Sequence, residues 1–137
     1  LDFDTSHVVA FTQRLNHLDS PPEQWVEGAR VVVGCPGQSA VMPERIGEFA
    51  KKVGEEYGVE LVSRPEEMIG RIDGVLIESN DGRVHLERAR PFLHAALPCS
   101  IDKPLAWPMR WRSYCRTGKP HAAKPDRGAP SSRSATR

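Results

Sequence analysis

Short, continuous apolar runs alternate with amphipathic stretches along most of this 137-residue chain. The runs fall in "ARVVVGCPG" (29–37), "VELVS" (59–63), "DGVLIES" (73–79) and "PCSID" (98–102). A strand with one wet face alternates apolar and polar residues. A run apolar at successive positions, as at Val75, Leu76 and Ile77, needs cover on both faces. Helices on both sides of a parallel sheet provide that cover, so the pattern predicts βαβ units and an α/β fold. No internal repeat interrupts the pattern.

The segments between the runs read as the covering helices. "MPERIGEFAKKVGEEYG" (42–58) carries one apolar stripe at Ile46, Phe49, Ala50, Val53 and Tyr57, with Pro43 suited to a first turn and Gly58 to a stop. "PEEMIGR" (65–71) predicts a short helix opened by proline. "RVHLERARPFLHAAL" (83–97) predicts a helix bent near Pro91, which lacks the donor that would bond back to Glu87. Upstream, Leu1 and Phe3 have strand-end character. Val8, Phe11 and Leu15 lie at helical spacing over 8–16, with Thr5 or Ser6 as N-cap.

Charge divides the chain in two. Residues 1–106 carry 11 Lys/Arg against 17 Asp/Glu, and residues 107–137 carry 8 against the single acid Asp126. The second part is rich in Pro, Ser, Gly and Ala. Such a composition buries too little apolar surface to offset its ordering entropy, so 107–137 are expected to form a disordered basic tail. "RWRSYCR" interleaves aromatics with cations and suggests a nucleic-acid contact. A tail without selected role explains it as well, and nucleic acid is the weaker expectation. Cys35, Cys99 and Cys115 form no CxxC pair, which argues against a disulfide framework and for a reducing, cytoplasmic setting. No stretch suits a membrane span.

Three loops hold candidate chemistry. In open parallel sheets, ligands bind beyond the carboxyl ends of strands. Asp4, Thr5 and Ser6 sit where a first strand gives way to a helix. Hydroxyls and helix amides there suit a diphosphate, and a carboxylate opposes one; capping the helix is the simpler role. Ser79, Asn80 and Asp81 follow the third strand. Asn80 suits a ribose or an amide, and Asn80 or Asp81 equally suits a helix cap. His85, one turn into the next helix, is in such a place more often structural or solvated than catalytic. Lys103, fixed by Pro104 after the last strand, would hold or release a proton beside a substrate hydroxyl or carbonyl, although a surface lysine is the commoner case.

"FDTSHVVAFTQRLN", "ARVVVGCPG", "EEYGVELVSRPEEMIGRIDGVLIESNDGRVHLERARPFLHAALP" and "IDKPLA", in that order, resemble the amino-terminal domain of the Gfo/Idh/MocA-type oxidoreductases. The similarity is greatest to a branch whose first loop reads "DTSH", and it covers about residues 1–106. It implies a Rossmann-like, doubly wound parallel sheet that binds NAD or NADP. It also implies hydride transfer to or from a sugar, polyol or related small molecule. By the resemblance, the diphosphate loop maps onto Asp4, Thr5, Ser6 and His7, and a second cofactor loop onto Ser79, Asn80 and Asp81, with His85 in the helix that follows. The catalytic lysine maps onto Lys103, with Pro104 beside it. The chain departs from the family in lacking a glycine fingerprint. It carries Gln38 and Ser39 where an acidic ribose ligand is usual. The expectation is therefore an incomplete domain, its first strand largely missing upstream of Leu1. After Ala106 the composition resembles a shifted reading frame, and the family's second, substrate-binding domain is not represented. No metal is implied.

Overall fold

The computed structural model describes residues 1–105. The tail expected over 107–137, including "RWRSYCR" and Cys115, lies outside the described residues. Among the described residues there are three α-helices: α1 (His7–Asn16), α2 (Pro43–Lys51) and α3 (His85–His94). Four short strands complete the described part: β1 (Val33–Gly34), β2 (Glu60–Leu61), β3 (Val75–Ile77) and β4 (Cys99–Ile101). The architecture is mixed α/β. β1 pairs with β2 in parallel, Val33 opposite Glu60, and β3 with β4 in parallel, Val75 opposite Cys99.

Residues 1–3 join the two pairs. On one side the Leu1 amino nitrogen donates to the Leu76 carbonyl at 2.8 Å, and the Glu78 N–H donates to the Leu1 carbonyl at 3.0 Å. On the other side Asp2 N–H donates to Cys35 O at 3.0 Å and Phe3 N–H to Pro36 O at 2.9 Å. The lateral order is thus β2, β1, residues 1–3, β3, β4. Asp2 has φ 63°, a left-handed conformation that Asp tolerates better than most residues. That kink sends Leu1 and Phe3 into different cores. Toward the amino ends of the strands, a groove of about 720 Å³ separates the pairs, lined by Val31, Val33, Gly74 and Val75 among others.

One core gathers Leu1, Val33, Cys35, Met68, Val75, Ile77, Ala89 and Phe92, beneath α3. The other gathers Phe3, Val8, Val53 and Val59, with Phe49, Ala50 and Tyr57 against it, beneath α1 and the end of α2. Fully buried Phe92, Ile77 and Val53 each contribute about 1.5–3 kcal/mol by leaving water.

Several boundaries differ from the sequence expectation, each for a local reason. The strand expected over Val31–Val33 is shifted, because the Asn16 side chain takes both backbone groups of Val31, donating to its carbonyl at 2.9 Å and accepting from its N–H at 2.8 Å. Val32 is half exposed. The helix expected over 42–58 is α2 followed by one wider π-helical turn over Lys52–Glu56, and Gly58 (φ 67°) ends it. The helix expected over 65–71 is a single 3-10 turn, Pro65–Met68. α3 contains Pro91, as expected, and closes at His94 with left-handed Ala96. There Leu97 N–H reaches back to Phe92 O and Ala96 N–H to Leu93 O, the paired bonds that satisfy the carbonyls of a helix end. Among the described residues, no helix is long and apolar enough to cross a membrane.

Candidate functional site

All the candidate residues gather where the strands end at their carboxyl sides. Asp4 is buried and acts as a strap. Its Oδ2 accepts from the Ser39 hydroxyl at 2.6 Å, and its Oδ1 accepts from the Asn80 N–H at 3.0 Å. The Asn80 side-chain amide donates back to the Asp4 carbonyl at 2.7 Å. Ser39 Oγ in turn accepts from the N–H groups of Val41 and Met42, each at 3.1 Å, just ahead of α2. Three loops, after residues 1–3, after β1 and after β3, are thereby tied at one carboxylate. Asp4 does not cap α1, and its charge does not face solvent.

Neither hydroxyl in the first loop caps α1 as expected. Ser6 occupies the N-cap position, is exposed and makes no capping bond. Buried Thr5 accepts from His7 N–H at 3.4 Å, a long contact. α3 is not capped by Asn80 or Asp81 either: Val84 takes the N-cap position. Asp81 folds back on its own turn, accepting from Arg83 N–H at 2.9 Å and from the Arg83 guanidinium. The Arg83 guanidinium beside Asp81 holds its carboxyl below the usual range.

His85 has no exposed surface. Its Nε2 lies 2.8 Å from the Ser79 carbonyl and its Nδ1 3.2 Å from the Leu105 carbonyl. Both neighbours are acceptors, and a neutral ring donates to only one. The imidazole donates to one carbonyl and packs against the other, between the loop after β3 and the segment after β4. A ligand at the rim meets Ser79 and His85 only through the backbone they hold, because Ser79 is also buried. Lys103 and Pro104 are exposed, joined by a cis peptide bond.

His7, at the start of α1, is brought against two carboxylates. Its Nδ1 is 2.6 Å from Asp102 Oδ2 and 3.8 Å from Glu78 Oε2. These three ligand atoms all lie within 4.8 Å of one another. The Glu78 side chain is only 5% exposed, and Oε2 has no hydrogen-bond partner among the described residues. Burial, and next the Asp102 charge, push the Glu78 carboxyl up; the Leu1 amino group and His7 oppose this. Burial alone would raise Asp102, but hydrogen bonds from the Lys103 backbone and from His7 outweigh it and hold that carboxyl below its ordinary value.

Neither Glu78 nor Asp102 stood among the candidate residues read from the sequence. The available signal was an acid directly after the apolar run Val75–Ile77, since an acid so placed ends a buried strand and is rarely buried unpaired. On the far side of residues 1–3, Asp2, Cys35, Gly37, Gln38, Ser63 and Arg88 line a cavity of about 260 Å³. Arg88 Nε donates to buried Asp2 Oδ2 at 3.1 Å. Burial raises the Asp2 carboxyl, and the Arg88 guanidinium and Leu1 amino group offset part of that.

Comparison with protein-family models, with curated proteins and with solved structures finds no match for this chain.

Proposed function

We propose that this chain is a Rossmann-like nucleotide-binding unit of an NAD(P)-dependent oxidoreductase acting on a sugar, a polyol or a related small molecule. The observation that carries this is the convergence of four loops at the carboxyl ends of parallel strands. They meet beside residues 1–3, which join the two strand pairs and lead directly into α1. That is where ligands bind in open parallel sheets.

The residues present fit a dinucleotide. The one carboxylate in the first loop, Asp4, is buried and accepts hydrogen bonds from Ser39 and Asn80, which lessens its repulsion of a diphosphate. The exposed Ser6 hydroxyl and the first-turn amides of α1 would hold the phosphates. Gln38 and Ser63, in the 260 Å³ cavity, would take the hydroxyls of a ribose. When bound, the nicotinamide supplies a hydride donor or acceptor. Lys103 would then hold a proton beside the substrate oxygen. Because Lys103 is exposed, no part of the described chain shields that oxygen from water, so turnover requires a further covering surface.

Titration of NADH and NADPH, followed by nicotinamide fluorescence, tests the reading. Saturable binding, weaker than about 1 μM, is expected. Ser6→Asp, which sets a charge at the α1 amino end, should weaken it at least tenfold. The 137-residue chain by itself should show no dehydrogenase turnover. Absence of saturable binding by the folded chain up to millimolar cofactor would defeat the proposal.

A further inference from the structure

We propose that His7, Glu78 and Asp102 form a binding site for a divalent transition metal ion, with His7 Nδ1, Glu78 Oε2 and Asp102 Oδ2 as its ligands. The site does not depend on dinucleotide binding. One imidazole and two carboxylates are a donor set suited to Zn²⁺, Co²⁺ or Mn²⁺. Three protein ligands with part of the cluster open to solvent resemble a catalytic-type site, in which water or a substrate oxygen completes the shell, more than a closed structural one.

Two independent features point to a cation. The first is the geometry: three potential donor atoms, from the start of α1 and from just after β3 and β4, come within 4.8 Å of one another. The second is Glu78. Its side chain is 95% buried, yet Oε2 has no hydrogen-bond partner among the described residues and stands 3.8 Å from His7 Nδ1, inside the cluster. A buried carboxylate oxygen left without a donor is costly unless something positive meets it.

Little movement is needed. Ligand bonds of about 2.1 Å in a tetrahedral shell set the donors about 3.4 Å apart. The His7–Glu78 spacing of 3.8 Å is already close to that. The His7–Asp102 contact of 2.6 Å must open by under about 1 Å, as the ion replaces the proton now shared between them. His7 and Asp102 are the more exposed members, at 37% and 21%, and have room to move; Glu78 is the fixed member. Two carboxylates and a neutral imidazole balance the charge of the ion. Lys103 adds a neighbouring positive charge, which moderates affinity.

Titration of the full chain with Co²⁺, followed by visible d–d absorption, and with Zn²⁺ by calorimetry, tests the site. One equivalent should bind, with Kd in the micromolar range or tighter. The Co²⁺ spectrum should show four- or five-coordination without thiolate charge-transfer bands. Glu78→Gln and His7→Ala should each weaken binding at least tenfold. In Glu78→Gln the metal-free melting temperature should stay equal or rise, because a buried charge is removed, while the rise in melting temperature on adding Zn²⁺ should disappear. His7 is partly exposed, so His7→Ala supplies a variant that does not disturb the core. No binding below millimolar metal overturns the proposal. Binding unchanged in both variants, or a thiolate spectrum, places the ion elsewhere and overturns it equally.

Discussion

Replacing Asp4 by Asn removes a charge while nearly keeping shape, and the strap at Asp4 makes its cost calculable. The native carboxylate accepts two bonds, from Ser39 Oγ and from Asn80 N–H. An amide has one oxygen. If that oxygen stays with Asn80, the new NH₂ faces the Ser39 hydroxyl. Ser39 Oγ already accepts from Val41 and Met42, so it has no free lone pair for a third donor. Two donors then confront each other in a part-buried place, at about 1–3 kcal/mol. The surviving bond falls from a charged to a neutral acceptor, losing about 1 kcal/mol. The total is about 2–4 kcal/mol. Urea unfolding followed by circular dichroism measures it, and melting should fall by roughly 3–5 °C for each kcal/mol. In a Ser39→Ala background the confrontation is gone, so Asp4→Asn should cost only about 1 kcal/mol, a coupling of about 1–3 kcal/mol. A loss under about 0.5 kcal/mol, within the scatter of ordinary surface changes, would refute the strap. So would an additive cycle. A carboxylate facing a diphosphate would behave in the opposite way: Asn would leave stability alone and tighten dinucleotide binding.

Gly37→Ala should be among the most damaging single changes, at roughly 3–5 kcal/mol by thermal unfolding. Its Cβ would stand 1.9 Å from Asp2 Oδ1 at φ 68°, disturbing the buried Asp2–Arg88 pair, whereas Gly28→Ala, with φ 89° and nothing within 4 Å, should cost only about 1–2 kcal/mol. Arg88→Met should cost about 3 kcal/mol near pH 7 by leaving Asp2 buried without its cation, and adding Asp2→Asn should recover most of that. Because burial raises the native Asp2 carboxyl, the stability tied to its protonated form is present below the unfolded value of 3.8 and lost as pH rises through the native value. The Arg88→Met penalty, read from unfolding across pH, should therefore shrink toward acid; a penalty that grows toward acid would contradict this. Native-state alkylation at pH 8, resolved by peptide mass spectrometry, should modify half-buried Cys99 well before almost fully buried Cys35; burial pushes both thiols up, so access decides the difference. Equal labelling would show that the core around Cys35 opens.

The sequence alone settled which segments are apolar on one face and which are apolar throughout, because burial leaves a local period. That was enough for α1 and α3, for three of the four strands, for the alternation that makes the structure α/β, and for the stop at Gly58. It also placed Asp4, Ser79, Asn80 and Lys103 in loops that follow strands. Partners were beyond it. Val31 reads as a strand residue until the Asn16 side chain takes its backbone. Asp4 reads as a cap or a phosphate neighbour until Asn80, 76 positions away, closes on it. His85 reads equally as a structural, a solvated or a ligand-facing histidine until its ring is fully enclosed between two carbonyls. The His7–Asp102 contact spans 95 positions and takes in Glu78 from a third loop. Periodicity records whether a side chain meets water. Which polar atom it meets instead depends on the path of the whole chain, and for these residues only the order β2, β1, residues 1–3, β3, β4 fixed it.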